Sequence, residues 1–299
     1  MTETMDYDVA VIGGSYAGMA AALQLARARR KVLVIDAGER RNRFASHAHG
    51  FLTQDGVAPG EIFARGRAQL RRYPTLVWHD GRAGQARRLG SDGFMVTLDD
   101  GAEIAARRLI LAFGVTDTLP DMAGLAERWG RSVFHCPYCH GYELEQDHIG
   151  VLGVGPASMH QALLLPDWGP TTFFLNRALQ LTPEDEARLA ARQVRIETAK
   201  VEAVSGACDV QLGDGRTLAL AGLFVAPQTA PGSTLATDLG CEIEQSPLGR
   251  FIATDEMKKT SVPGVFACGD VARMAGSVSL SVGDGALAGA AAHQSLIFG

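Results

Sequence analysis

The chain has 299 residues, a net charge of −5 at pH 7, 46% hydrophobic residues and 20% charged residues. This length allows two domains with buried cores. Because no basic face dominates and no apolar run is long enough to cross a bilayer, we expect no nucleic-acid partner and no membrane partner.

The first residues, MTETMDYDVAVIGG, are acidic and lead directly into an apolar strand pattern. They contain no cationic region and no cleavage site, so they predict a cytoplasmic protein. In a reducing compartment the five cysteines are not expected to form a structural disulfide framework. A close-set cysteine pair there indicates a catalytic or a metal-binding role.

The first predicted unit is strand, glycine turn, helix and strand. Residues 9–12 form an apolar strand, Gly13 makes the turn, and the helix after Gly18 is rich in small residues. The second strand, residues 32–35, ends in Asp36. This acid follows the first glycine at about the 20-residue distance of a dinucleotide-binding fingerprint, in which it binds ribose hydroxyls. The alternative is an ordinary strand–helix–strand unit that binds no ligand.

One position departs from the fingerprint, because Ser15 stands where the middle glycine should let the pyrophosphate approach. Serine is small and can donate a hydrogen bond, so we expect the site to tolerate it.

The stretch HCPYCHGYE places Cys136 and Cys139 two residues apart, between His135 and His140. Pro137 is typical of a first helical turn, where the helix dipole and a neighbouring imidazolium stabilise a thiolate. Zinc is the competing interpretation, but zinc sites usually need a second ligand pair and the chain offers none. We therefore predict a redox dithiol and no metal, with His140 moving a proton. For His135 a structural hydrogen bond is an equal alternative.

A second copy of the unit follows in HIGVLGVGPASMHQALLLPDWGPTTFFLN, with Gly153 and Gly155 in its turn and Ser158 at the third glycine position. Each copy is followed by a hairpin with an Asp-Gly turn, at residues 100–101 and 214–215. The pattern predicts an α/β protein with two Rossmann-like three-layer domains.

Near the end of the chain, a short strand over residues 265–268 runs into Gly269 and Asp270, and a helix of small residues follows. The carboxylate of Asp270 suits hydroxyl groups of a cofactor. The start of the next helix favours a phosphate or an electron-rich ring.

Four motifs, VIGGSYAG, LILAFG, CPYC and TSVPGVFACGD, resemble those of the low-molecular-weight thioredoxin reductases in order and spacing. The resemblance implies a homodimer that binds FAD. It implies an FAD-binding domain made of residues 1–116 and 245–299. It also implies an NAD(P)-binding domain, residues 117–244, that is inserted in the FAD-binding domain and carries the dithiol.

The resemblance also implies roles for single residues. Cys139 would face the flavin and Cys136 would exchange with the external thiol or disulfide. The implied cofactor contacts are Gly13, Ser15, Ala17, Gly18, Asp36, Arg43, Gln54, Ala83, Ala112, Gly114, Gly269, Asp270, Ser277 and Val278. His47 and His49 are interpreted as polar loop contacts and not as catalytic residues.

The departures from the family pattern concern the proton carrier and the electron donor. His140 replaces an acidic residue, as in the dithiol oxidases that close disulfides in gliotoxin and holomycin. Of the arginines that hold the NADPH 2′-phosphate in the family, this sequence keeps only Arg177, which follows Asn176. The implied NAD(P) contacts are Gly153, Gly155, Ser158 and Arg177, and NADPH is expected to be a poor reductant.

These patterns predict a FAD-dependent thiol–disulfide oxidoreductase that passes electrons to or from a thioredoxin-like protein or a small dithiol. One alternative is the same core acting as an oxygen-dependent dithiol oxidase or fed by a ferredoxin-type donor. An alternative of another class is a non-catalytic flavin-binding redox sensor, which would not need the dithiol.

Overall fold

The computed structural model describes residues 5–90 and 93–299. Its strands in chain order are β1 (Tyr7–Ile12), β2 (Val32–Asp36), β3 (Leu76–Asp80), β4 (Ala83–Leu89), β5 (Gly93–Leu98), β6 (Glu103–Leu111), β7 (Val115–Thr118), β8 (Val133–Phe134), β9 (Ile149–Leu152), β10 (Thr171–Phe174), β11 (Arg195–Glu197), β12 (Val201–Ser205), β13 (Asp209–Leu212), β14 (Thr217–Ala219), β15 (Gly222–Val225), β16 (Gln228–Pro231), β17 (Ile243–Ser246), β18 (Gly249–Ile252) and β19 (Val265–Ala267).

The α-helices are α1 (Tyr16–Arg27), α2 (Pro59–Leu70), α3 (Pro137–His140), α4 (Ala157–Leu164), α5 (Pro183–Ala191), α6 (Leu235–Asp238) and α7 (Val278–Phe298). Short 3-10 turns cover Arg41–Phe44, Ala126–Arg128, Tyr142–Leu144, Leu165–Asp167 and Gly269–Ala272. Among the residues that the structure describes, no helix is both long and apolar enough to cross a membrane.

The first sheet has the strand order β3-β2-β1-β6-β5-β4, with β19 added beside β6. Strands β1, β2, β3, β6 and β19 pair in parallel, while β4 and β5 form antiparallel pairs at the other edge. The central strands are buried on both faces, which explains their continuous runs of valine, isoleucine and leucine. The chain leaves this sheet after β6 and returns to it only at β19.

The second parallel sheet has the order β11-β10-β9-β15-β8 and is built from the segment between β6 and β19. Its strands carry core clusters of their own, one with Phe173 and Phe224 and another with Phe174. The predicted α/β class with two Rossmann-like sheets is confirmed. Two smaller sheets, β12-β13-β14 and β17-β18-β16-β7, complete the architecture.

Both predicted hairpins are confirmed. Asp100 and Gly101 lie in the turn between the antiparallel strands β5 and β6, and Asp214 and Gly215 lie between β13 and β14. The two glycines have φ angles of 86° and 87°, a left-handed conformation that glycine adopts without strain.

Helix α7 packs closely along α1 through small residues. A Cβ atom at Gly285 would lie 2.8 Å from the Ala17 carbonyl carbon, and one at Gly289 would lie 2.5 Å from the Ala21 carbonyl oxygen. Only glycine permits this approach. As a result, the first residues of α7 lie beside the first turn of α1.

This packing predicts opposite effects for the same substitution at two positions of α7. Gly289→Ala should lower the free energy of unfolding by about 1–3 kcal/mol, because the added methyl group meets the α1 backbone. Gly283→Ala should raise it by about 0.4–1 kcal/mol, because a Cβ there has no heavy atom within 4 Å. Urea unfolding of both variants beside the wild type measures the two changes. Equal effects would show that the helices do not pack as described.

Candidate functional site

The first glycine turn is shaped by its neighbours. Gly13 has a φ of 104°, and a Cβ on it would lie 2.7 Å from the Phe113 backbone nitrogen. A Cβ on Gly14 would lie 2.6 Å from the Trp78 ring. The backbone therefore runs very close to its neighbours between β1 and α1, which suits a turn that a pyrophosphate must approach.

Asp36 lies at the end of β2, next to this turn, and is buried. One of its carboxylate oxygens accepts a hydrogen bond from the Gly14 backbone N–H at 3.2 Å. This contact holds the carboxylate beside the glycine turn, where the fingerprint places the ribose.

A cleft of about 380 Å³ extends from the glycine turn and Asp36 to the dithiol segment. The predicted site residues that line it are Gly13, Ser15, Ala17, Asp36, Arg43, Ala83, Ala112, Gly114, Cys139, His140, Gly269, Asp270, Ser277 and Val278. The structure thus brings residues from the first and last parts of the chain together with the second cysteine of the pair.

Two predicted cofactor contacts lie outside this cleft. Gly18 is below the turn, where a Cβ would lie 3.0 Å from the Gly13 carbonyl carbon. Gln54 points elsewhere, and its amide oxygen accepts a hydrogen bond from Arg65 at 3.1 Å. Gly18 therefore supports the turn from behind, and Gln54 makes a surface contact in this structure.

The lining of the cleft fits a dinucleotide. It combines a tight glycine turn at a helix start, a carboxylate at the end of the neighbouring strand and a second helix start at Ser277. Its wall also holds buried polar atoms without a protein partner, Arg40 Nε and Asn42 Oδ1. Buried polar atoms normally have a partner, so these two indicate a polar ligand.

Arg41 lines the cleft and was not predicted from the sequence. Its guanidinium group donates to both carboxylate oxygens of Asp117, at 2.9 and 2.5 Å, and to Asp270 at 2.9 Å. Burial alone would disfavour its charge, but the two carboxylates raise the pKa of Arg41 above its ordinary value. The three residues are distant in sequence, so no local pattern could have connected them.

The dithiol is oxidised in this structure. A disulfide joins Cys136 and Cys139, whose Cα atoms are 5.3 Å apart. Cys136 is the N-cap of α3 and Pro137 is its first residue, as expected from the sequence. The dithiol follows directly after β8, at the carboxyl end of the second parallel sheet.

The neighbouring imidazolium expected for the thiolate form is absent from this disulfide form. Burial lowers the pKa of His140 to about 4, with a smaller contribution from His49, and burial lowers the pKa of His135 to about 3. The His140 ring stacks on Phe134 with ring centroids 4.4 Å apart, which covers one face of the imidazole. At neutral pH both rings are therefore uncharged. The His140 ring can accept a proton, but it binds that proton weakly.

In the second glycine turn the polar groups are already engaged. The buried Ser158 hydroxyl accepts from the Val154 N–H at 3.0 Å and donates to the Leu152 carbonyl at 3.2 Å. The side chain of Asn176 accepts from the Val201 N–H at 3.1 Å. Both side chains thus hold the protein backbone together.

Cationic groups near this second turn are few. Arg177 is exposed, with a φ of 57°, just after β10. Arg192 donates to the Leu163 carbonyl at 3.1 Å and pairs with Asp167 at 2.6 Å. Arg188 is an exposed residue of α5, 4.0 Å from Asp185. Arg192 is thus held away from the role of a substitute phosphate ligand.

Metal binding was the competing interpretation of the cysteine pair. Within residues 5–90 and 93–299, no group of three or more histidine, cysteine or acidic side chains is arranged to hold a metal ion. The remaining cysteines, Cys208, Cys241 and Cys268, are buried apart from the pair.

Comparison with known proteins agrees with these observations. Residues 7–294 match the family model described as pyridine nucleotide-disulphide oxidoreductase. The chain is 31% identical over 308 residues to thioredoxin reductase aclD of Aspergillus oryzae, covering 98% of this chain and 97% of that protein.

Solved structures extend the likeness. The crystal structure of an oxidoreductase from Agrobacterium tumefaciens is 57% identical, with a TM-score of 0.96, covering 98% of this chain and 99% of that one. The crystal structure of HlmI is 39% identical, with a TM-score of 0.91, covering 97% and 92%. These relatives favour an enzyme over the non-catalytic sensor. The chain belongs to the pyridine nucleotide-disulphide oxidoreductase family, as a thioredoxin reductase-like, flavin-dependent oxidoreductase.

Proposed function

We propose that this enzyme binds FAD in the cleft and transfers two electrons between FAD and the Cys136–Cys139 pair, which exchanges with an external thiol or disulfide. The observation that supports this most directly is that Cys139 lines the same cleft as the glycine turn and Asp36. The cysteine that resemblance assigns to the flavin is therefore the one on the cofactor side.

The cofactor would be held by residues from both ends of the chain. The N–H groups of the glycine turn and the start of α1 would bind the pyrophosphate, and Asp36 would bind the ribose. Asp270, which Arg41 orients, would accept hydrogen bonds from hydroxyl groups of the cofactor. Residues 1–116 and 245–299 would form the FAD-binding domain, and residues 117–244 the domain that carries the dithiol. A cytoplasmic homodimer is part of this proposal.

FAD, when bound, supplies a two-electron acceptor and donor for the cysteine pair. The protein side chains carry out the thiol exchange. A substrate thiolate bonds to Cys136 Sγ as the disulfide breaks, Cys139 leaves as a thiolate, and the proton of the substrate thiol goes to His140. A second substrate thiol then displaces Cys136, which completes the substrate disulfide. The reverse sequence reduces a disulfide.

The external substrate reaches the pair from an open surface. Tyr138, between the cysteines, is 71% exposed and Tyr142 is 85% exposed. This accessible edge suits either a thioredoxin-like protein or a small dithiol as the partner.

A specific observation also favours a second candidate, the same core acting as a dithiol oxidase. A neutral His140 accepts the proton that a substrate thiol releases, whereas reduction of a disulfide needs a proton donor. The second glycine turn offers Arg177 as its exposed cation, so we infer that NADPH is a poor electron donor.

We predict that Cys136→Ser and Cys139→Ser each abolish dithiol turnover while FAD stays bound, because neither side chain belongs to the glycine turn. In Cys136→Ser the remaining Cys139 thiolate lies on the cofactor side. It should therefore give a long-wavelength absorbance band that Cys139→Ser lacks. Absorbance spectra of both purified variants measure this. A band seen only in Cys139→Ser would reverse the two roles.

We predict that His140→Ala slows the anaerobic reaction with dithiothreitol by about 100-fold or more, as expected for loss of a general base. The pKa of His140 is lowered to about 4, so the base stays neutral and the wild-type rate should show no loss of base catalysis near pH 6.5. Stopped-flow rates from pH 4.5 to 8 measure both effects. His160→Ala, on the exposed side of α4, is the control. An unchanged rate in His140→Ala would remove His140 from the mechanism.

We predict that anaerobic mixing with NADPH at submillimolar concentration fails to bleach the flavin completely within a second.

Ala178→Arg adds a cation beside Arg177 and should raise the apparent affinity for NADPH by about tenfold, which corresponds to about 1.4 kcal/mol. NADH lacks the 2′-phosphate, so its apparent affinity should not change and it serves as the matched control. Rapid, complete bleaching of the wild type by NADPH would establish an NADPH-driven reductase.

A further inference from the structure

The cleft contains a second pair of histidines that the thiol exchange does not use. His47 and His49 both line it, although the sequence pattern suggested only loop contacts. The His49 side chain is 17% exposed, and its ring centroid lies 6.3 Å from that of His47. A mostly buried imidazole in a reaction cleft is a candidate for proton transfer.

His49 contacts two carboxylates. Its Nδ1 atom lies 3.2 Å from an oxygen of Glu143 and 3.7 Å from an oxygen of Asp55. The side chains of Glu143 and Asp55 are 40% and 70% exposed. The three groups therefore lead from the mostly buried His49 ring to solvent.

Glu143 also connects His49 to the dithiol segment. It lies in the 3-10 turn Tyr142–Leu144, directly after α3 and three positions beyond His140. The Gly141 N–H donates to the Pro137 carbonyl at 2.7 Å, which holds this turn against α3. His49 and His140 both line the cleft, and His49 adds a smaller electrostatic contribution to the pKa of His140, which burial lowers.

The loop that carries His49 is held at several points. Ala48 exchanges backbone hydrogen bonds with Val57 and Gly56, at 2.9 and 3.0 Å. The Gly50 N–H donates to Asp55 at 2.8 Å, and the Ser279 hydroxyl of α7 donates to the Gly50 carbonyl at 2.9 Å. These bonds fix His49 relative to the start of α7, which itself lines the cofactor cleft.

We propose that His49, paired with Glu143, carries the proton between His140 and solvent during thiol exchange. This inference rests on the proposed function. His140 takes the proton of the attacking thiol, the proton passes to His49, and Glu143 accepts it and releases it to water. No electrons move in these steps. Burial disfavours the protonated form of His140, so it needs such an acceptor.

The charged and titratable groups that face His49 come from two segments of the chain. They are His47 on its own loop, Asp55 at the far end of that loop, and Glu143 and His140 on the dithiol segment. Of these, Glu143 makes the shorter carboxylate contact and is attached to the dithiol segment. We therefore assign the outer step to Glu143.

The test uses the FAD-loaded enzyme and the anaerobic reaction of its disulfide with dithiothreitol, followed by loss of flavin absorbance. His49→Asn and Glu143→Gln should each slow this reaction by about tenfold or more. Added imidazole at constant pH and ionic strength should accelerate the His49→Asn variant and leave the wild type unchanged, because a small buffer replaces a missing proton carrier. A purely structural role would give no buffer response.

Matched controls are His160→Asn on α4 and Glu145→Gln, an exposed residue two positions after Glu143, and both should react as the wild type does. The proposal is overturned if His49→Asn keeps the wild-type rate, or if it is slowed without any response to imidazole. Failure of the proposed function is recognised separately. In that case dithiothreitol would bleach the flavin of the wild type no more than the flavin of the Cys139→Ser variant.

Discussion

The parallel pairing of β19 with β6 is the constraint on which the rest of the site depends. It aligns Val265 with Leu109 and Ala267 with Leu111, so the chain that follows β19 emerges at the edge where β1 and β6 end. Because parallel strands present their carboxyl ends together, the glycine turn, the loop after β6 and the turn at Asp270 meet at one place. A segment that forms a second complete sheet lies between β6 and β19, yet it leaves this register intact.

The second sheet contributes the reactive group by the same principle. Strand β8 ends at Phe134, two residues before Cys136, so the disulfide is placed at the carboxyl edge of its sheet. There, burial and not charge sets the chemistry. The ring of His140 packs on Phe134, and desolvation keeps it neutral. A neutral imidazole at this position can accept a proton, which is the property that the proposed thiol exchange requires.

Ion pairs join the two parts of the molecule across the cleft. Arg41 binds Asp117, which precedes the inserted sheet, and Asp270, which follows it. His49 and Glu143 form a second connection between the first part of the chain and the dithiol segment. Both contacts lie beside the reactive centre; Arg41 and its carboxylate partners are mostly buried, while the Glu143 side chain is 40% exposed. The arrangement that brings Cys139 into the cleft is therefore stabilised by the same charged groups that prepare the site.

From sequence alone, the local elements of the site could be predicted, because they depend on short-range rules. Asp36 at the end of β2, the hairpins at Gly101 and Gly215 and Pro137 at the start of α3 all follow from strand periodicity, turn chemistry and helix geometry. The tertiary structure decided the features of the site that these short-range rules do not cover. Gln54 lies outside the cleft, Arg41 pairs with carboxylates distant in the chain, and His140 is neutral because of what surrounds it. Ion pairing and desolvation depend on neighbours that only folding brings together.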